Sequence, residues 1–382
     1  MFRSFRIGRA LSAAATLALL AGCSGGGSSV PAIPATYQGA PSQSISRSSI
    51  PHFKLIDALR GRLQAPSNTL RFDNPDLFDS AAITNGVYGA NYGNAGGDQL
   101  GGYFNLYKLP GSSHSVPVCA NGGLNKVAEI NGIGVDSTGT LWVPGLKPTN
   151  LTSGIVLTFK KNTCTEATAK LTDKGGEPAD IAFSSTGKMF VLDIVNFPAM
   201  TNGQIEVYPK GQTKPTSTLQ LPGELVGTGL SQGLGLGVAT DSKNNVYATY
   251  LNTNGGTDIT KFLGGKGAGK ILQNTNGTIY EGMTFDANGN LVVAADGSGG
   301  ATINIFAPPF TGTPTSFPAQ GTVVDLKLDP AGTNLYVGDA ANNTIDVYKY
   351  PSGTYKYSIV VTTVPPNGAV VEGVAVDPSA NN

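Results

Sequence analysis

Apolar residues in this chain alternate with polar ones in short runs, and the runs recur. Gly132-Ile133-Gly134-Val135-Asp136 is one copy, and Asp180-Ile181-Ala182-Phe183-Ser184 and Gly237-Val238-Ala239-Thr240-Asp241 are others. Three more follow: Gly282-Met283-Thr284-Phe285-Asp286, Asp325-Leu326-Lys327-Leu328-Asp329 and Gly373-Val374-Ala375-Val376-Asp377. A period of two between apolar positions is the signature of a half-buried strand. The closing positions 136, 184, 241, 286, 329 and 377 serve here as anchors. They span 241 residues over five intervals, a mean period of about 48.

Each anchor is followed by turn chemistry and a second strand. Ser137-Thr138-Gly139 leads into Leu141-Trp142-Val143, and Ala287-Asn288-Gly289 into Leu291-Val292-Val293. A third strand ends in an aromatic at fixed spacing, as in Ile205-Glu206-Val207-Tyr208 and Ile345-Asp346-Val347-Tyr348. A fourth, weaker strand precedes the next anchor. The copy ending at Asp377 lacks its second and third strands, while the region from residue 83 begins with those two, Val87-Tyr88-Gly89 and Phe104 to Tyr107. Joining the ends completes a sixth unit and leaves no sheet edge open. The expected fold is therefore all-β: a six-bladed β-propeller of four-stranded blades over residues 83–382, closed between N- and C-terminal strands.

The repeat resembles the NHL family of propellers and, more distantly, the SMP-30/gluconolactonase group. Such scaffolds host unrelated functions. The resemblance implies a fold more than an activity.

Residues 1–82 follow other rules. Arg3, Arg6 and Arg9 precede an uncharged Ala/Leu stretch from Ala10 to Leu20, too short to span a bilayer as a helix. That is the pattern of a secretory signal peptide. It ends in Leu20-Ala21-Gly22-Cys23, which resembles the lipobox of bacterial lipoproteins. The resemblance implies cleavage after residue 22, lipidation of Cys23 and attachment to a membrane of the bacterial cell envelope. Ser24 in place of Asp implies the outer membrane. Residues 23–82, with a Gly/Ser run and Pro31, Pro34 and Pro41, have the composition of a flexible tether.

Composition narrows the chemistry. Charged residues make up 13% of the chain and glycines number 52, which suits a turn-rich β domain. Without residues 1–22 the chain keeps 22 basic and 25 acidic residues, a formal charge of −3. No basic patch marks a nucleic-acid surface. Only two histidines exist, His52 and His114, which argues against a Ser-His-Asp triad or a His-rich metal site. Cys119 and Cys164 can pair in an oxidising compartment. Cys119, however, falls near the end of a fourth strand and Cys164 near the start of the next one. Those ends lie on opposite faces, which weighs against a bond needing Cα atoms within about 7 Å.

What remains is placed by the repeat register. The residue five before each anchor rings one channel mouth: Asn131, Ala179, Leu236, Glu281, Val324 and Glu372. One position later come Asp180 and Asp325, with glycine in the other four blades. The ends of the second strands add Asp193, Asp296 and Asp339 to the same face. Carboxylates and amide oxygens with few other charges suit a hard cation, Ca²⁺ or Mg²⁺. Glu281, Glu372 and Asn131, with Asp180 and Asp325, form the candidate ligand or metal site. Resemblance to the lactonase group implies a metal-dependent lactonase or esterase there. The ring's Ala179, Leu236 and Val324 depart from that pattern. The strand-end aspartates equally suit a local role, accepting backbone N–H groups of the following turn. Two functions stay open: a binding module for a ligand or protein partner, and the metal-dependent hydrolase. An assembly role in the envelope is a third.

Overall fold

A computed structural model describes residues 85–377, apart from 93–102, 110, 116, 122–126, 128–129, 148–149, 165, 175, 196–201, 223–233, 253–255 and 362–369. The signal peptide, Cys23 and the tether lie outside the described residues.

Among the described residues twenty-four strands form six four-stranded antiparallel sheets. Blade 1 holds β1 (Gly86–Tyr92), β2 (Tyr103–Lys108) and β3 (Cys119–Asn121), with β24 (Val370–Val376) as its innermost strand. The order β24-β1-β2-β3 joins the two ends of the fold in one blade. Blade 2 comprises β4 (Gly134–Val135), β5 (Leu141–Lys147), β6 (Asn150–Phe159) and β7 (Glu166–Lys174). Blade 3 comprises β8 (Gly176–Phe183), β9 (Met189–Val195), β10 (Asn202–Tyr208) and β11 (Ser217–Gln220). Blade 4 comprises β12 (Gly235–Thr240), β13 (Val246–Leu251), β14 (Thr257–Phe262) and β15 (Lys270–Asn274). Blade 5 comprises β16 (Ile279–Phe285), β17 (Leu291–Gly297), β18 (Gly300–Phe306) and β19 (Thr315–Pro318). Blade 6 comprises β20 (Val323–Leu328), β21 (Asn334–Asp339), β22 (Thr344–Lys349) and β23 (Thr354–Val360). The inner strands touch one another in the cyclic order β4, β8, β12, β16, β20, β24. Among the described residues the one helical element is a single 3-10 turn, Leu263–Gly265.

The core lies between blades. Phe190, Leu192, Ile205 and Val207 of blade 3 pack on Val238, Val246, Ala248 and Phe262 of blade 4. The third-strand aromatics Tyr107, Phe159, Tyr208, Phe262, Phe306 and Tyr348 are all buried. Each large apolar side chain removed from water contributes about 2 to 3 kcal/mol, which explains why that position stays aromatic.

The anchors build the turns. Asp241 Oδ1 accepts the backbone N–H groups of Lys243 and Asn245, and its Oδ2 accepts Asn245 Nδ2 and the Tyr247 hydroxyl. Asp286 does the same with Asn288 and Asn290 and also accepts the Tyr350 hydroxyl from the next blade.

The cysteines require a correction. Cys119 and Cys164 form a disulfide with Cα atoms 6.0 Å apart. Cys119 opens β3, a strand of only three residues, instead of closing it. Cys164 stands two residues before the first residue of β7. Both therefore stand at the starts of outermost strands in neighbouring blades, on one face of the propeller.

Candidate functional site

In five of the six blades the inner strand carries a β-bulge at the ring position. The pairing skips Ala179 between Pro178 and Asp180, and Leu236 between Gly235 and Gly237. It skips Glu281 and Gly282 between Tyr280 and Met283, Val324 between Val323 and Asp325, and Glu372 between Val371 and Gly373. A bulge inserts an unpaired residue and re-aims its side chain. These residues leave the blade ladder and turn to the channel mouth. In blade 2, Asn131 precedes the short β4.

The mouth is a cavity with about 30 Å³ of room for water. All six ring residues border it, together with Asp180, Asp325 and Ile194. Around the ring, Ala179 and Leu236 form a continuous apolar arc. Glu281, Glu372 and Asn131 form a polar arc interrupted only by Val324. Burial pushes the Glu281 carboxyl well above the usual range, and Glu372, Asp296 and Asp325 push it the same way. Asn131 donates from Nδ2 to Glu177 Oε1 at 3.1 Å, which sets its amide.

Asp180 and Asp325 do something different. They stand three blades apart, on opposite sides of the six-blade ring, and both are buried. Each ties its blade to the next. Asp180 accepts its neighbour Ile181 N–H at 2.7 Å and Val238 N–H of blade 4 at 2.8 Å. Asp325 accepts Leu326 N–H at 2.8 Å and Val374 N–H of blade 1 at 2.9 Å. On the other side each presses on a glycine of the preceding blade. A Cβ on Gly132 would lie 2.3 Å from Asp180 Oδ1, and one on Gly282 2.3 Å from Asp325 Oδ1. That close approach explains the Gly/Asp pattern at this register position.

Lys327 completes the arrangement, and it is absent from the sequence-derived candidate set. Its Nζ donates to Asp325 Oδ1 at 2.7 Å. Burial works against the ammonium, but Asp325 and Asp180 together outweigh it and hold its pKa above the ordinary lysine value. Burial raises Asp180 to about 7, with Lys327 pulling it down and Asp325 pushing it up. An internal cation thus already answers these two carboxylates. The five-residue candidate set divides: Asp180 and Asp325 clamp the channel with Lys327, while Glu281, Glu372 and Asn131 face the mouth. A signal for Lys327 was present in the repeat. The residue two before the anchor is Gly134, Ala182, Ala239, Thr284 and Ala375 in the other blades. One lysine among small residues marks a special channel position.

The strand-end aspartates also diverge. Asp339 Oδ1 accepts the N–H groups of Thr322, Ala341 and Asn342, and its Oδ2 accepts Asn342 Nδ2. Burial outweighs those bonds and raises it to about 6. Asp296 Oδ2 accepts Val323 N–H of blade 6 at 3.1 Å, and burial raises it to about 7. Both act as local and inter-blade ties. Asp193 instead meets Asp173 and Glu206, neither of which the repeat register singles out.

No family model matches the chain, and no curated protein matches it. Solved structures match in fold. A chain from a nidogen/laminin complex aligns at TM-score 0.56 and 16% identity, covering 77% of this chain and 99% of that one. TolB from Acinetobacter baumannii aligns at TM-score 0.56 and 14% identity, covering 76% of this chain and 66% of TolB. A putative 6-phosphogluconolactonase from Bacteroides uniformis aligns at TM-score 0.52 and 13% identity, covering 76% and 99%. Identities this low carry the architecture alone, so the chain is a β-propeller similar to proteins of different activities.

Proposed function

We propose that this chain is an envelope-anchored lipoprotein, attached through Cys23, whose propeller is a binding module. Its channel mouth receives one basic group carried by a peptide or protein partner. The observation that carries this is the divided mouth, with Glu281 and Glu372 on one arc and Ala179, Leu236 and Ile194 on the other. A lysine or arginine side chain has that same division, an apolar stem and a cationic head. The charges acting on Glu281, those of Glu372, Asp296 and Asp325, are all acidic, so an incoming cation relieves them. Size points the same way: about 30 Å³ holds a terminal group, whereas small-molecule sites enclose roughly 300 to 1,000 Å³. The same fold occurs in a chain of a nidogen/laminin complex, a protein–protein assembly.

The test is calorimetric titration with a tri-lysine amide and its Nε-acetylated counterpart. Wild-type protein should bind the first and not the second, with affinity falling as salt rises. Glu281→Gln/Glu372→Gln should weaken binding at least about tenfold, some 1.4 kcal/mol. Equal binding of the acetylated peptide, or an unaffected variant, overturns the proposal. Palmitate labelling tests the anchor: Cys23→Ser should abolish it, and an unlabelled wild type contradicts the lipoprotein assignment.

A metal-dependent lactonase or esterase is the second reading, favoured by Glu281, Glu372 and Asn131 bordering one cavity. The donor set is all oxygen, as a hard cation requires. The lysine clamp on Asp325 removes one candidate ligand from it. Lactone hydrolysis that needs Ca²⁺ and is lost in Glu281→Gln would favour this reading over the first.

A further inference from the structure

Away from the channel mouth, three carboxylates from two blades converge. Asp173 lies near the end of β7 in blade 2, Asp193 on β9 and Glu206 on β10 of blade 3. One oxygen from each lies within 4.8 Å of the others. None of the three borders the mouth cavity.

Proximity of acids alone means little, but two further observations mark this cluster. First, Asp193 is 1% exposed, and neither its Oδ1 nor the buried Oδ2 of Asp173 accepts a bond from any other residue, so the two carboxyls have only each other. Buried polar atoms in folded proteins are ordinarily satisfied, so these two facing carboxyls need either a proton shared between them or a cation. Second, both oxygens point at one space. A Cβ on Gly176 would lie 2.2 Å from Asp173 Oδ2 and 2.3 Å from Asp193 Oδ1. Gly176 is not among the glycines with positive φ, so backbone conformation does not demand glycine there. The missing side chain lets both carboxylates pack against the backbone there.

The surrounding bonds hold the group without filling it. Gln204 Nε2 donates to Asp193 Oδ2 at 3.3 Å, and the Tyr208 hydroxyl donates to Glu206. Ser153 Oγ donates to the Asp173 carbonyl at 2.9 Å and fixes the end of β7. Burial, followed by mutual repulsion, raises the pKa of Asp193, and burial likewise raises Asp173 and Glu206. A divalent cation cancels that cost.

We propose that Asp173, Asp193 and Glu206 form a calcium site that staples blade 2 to blade 3. The ligands are carboxylate oxygens with no imidazole or thiolate, which selects a hard cation. Ca²⁺ accepts irregular carboxylate arrangements, whereas Mg²⁺ demands a near-ideal octahedron. A buried site also disfavours Mg²⁺, which keeps several of its waters.

The experiment is thermal unfolding and calorimetric titration of chelator-treated full-length protein. The probe is CaCl₂ up to about 10 mM, saturating for dissociation constants at or below about 1 mM. One Ca²⁺ should bind per chain, raising the melting temperature reversibly against a chelator. MgCl₂ at the same concentration should give less than half that shift. Asp193→Asn should abolish the calcium response, yet melt at or above wild type without metal, because one buried like charge is gone. Gly176→Ala should also lose the response, by displacing both carboxylates. Glu281→Gln/Glu372→Gln should keep it. An unchanged wild-type melting temperature, an equal response to Mg²⁺, or a calcium shift that survives in Asp193→Asn overturns the assignment. So does loss of the response in the mouth variant.

Discussion

Replacing Lys327 with methionine tests the channel clamp. Methionine keeps the stem's length and apolar character and removes only the ammonium. Lys327 Nζ stands 2.7 Å from Asp325, whose side chain is 4% exposed against 20% for the lysine. Breaking a buried pair from one side costs about 3 to 5 kcal/mol, because the remaining charge loses its partner. The lysine's partial exposure places the loss near the lower end, about 3 kcal/mol. For a domain of this size, 1 kcal/mol shifts the melting temperature by about 2 °C, giving a fall of about 6 °C. The pH dependence follows from Asp180, raised from 3.8 to about 7 by burial. A carboxyl whose folded pKa is raised binds more protons folded than unfolded, so its stabilising effect is full below about pH 4. That effect is lost as pH rises through 7. In Lys327→Met, Asp180 loses the cation that favours its charged form. The destabilisation should therefore be largest near pH 8 and smaller near pH 5, where Asp180 holds a proton. Circular-dichroism melts of both proteins at the two pH values read this directly. A variant within about 1 °C of wild type at pH 8, or one losing equally at both pH values, refutes the clamp.

Two further outcomes follow from the geometry. Cys119 and Cys164 are 45 residues apart in sequence, so their bond removes about 4 kcal/mol of unfolded-state entropy on the chain-entropy model. Cys119→Ser/Cys164→Ser should melt several degrees lower and no longer respond to reductant, whereas an unshifted melt would mean the bond is dispensable. Gly282→Ala places a Cβ 2.3 Å from Asp325 Oδ1 and 2.7 Å from its Cα. Denaturant unfolding should show a loss of about 1 to 3 kcal/mol, and a neutral result would contradict the close approach of blades 5 and 6.

Much of the architecture is legible in the repeat because each blade solves the same packing problem. The turn aspartates, the third-strand aromatics and the closure between β24 and β1 all follow from one register. The ring at the mouth is legible for the same reason, since a bulge in the same place in successive blades delivers the same position to the channel. What repetition does not encode is harder to see. Lys327 breaks the pattern of small residues at its position, and only a comparison of all six blades at that one position exposes it. Asp173 and Glu206 come from an outer strand and a third strand of different blades, and no common spacing joins them to Asp193. The disulfide depends on whether Cys119 starts or ends its strand. A strand of three residues gives periodicity nothing to decide that with.

The most direct test of the binding role is the titration of the Glu281 carboxyl, followed by carbon-detected NMR in wild-type protein with and without tri-lysine amide. Glu281 should titrate well above its ordinary value of 4.5 in the free protein. It should move down when the peptide's ammonium reaches the mouth, because a nearby cation favours the carboxylate. A Glu281 that titrates at the ordinary value, or one that the peptide leaves unmoved, would contradict a channel mouth built to receive a basic group.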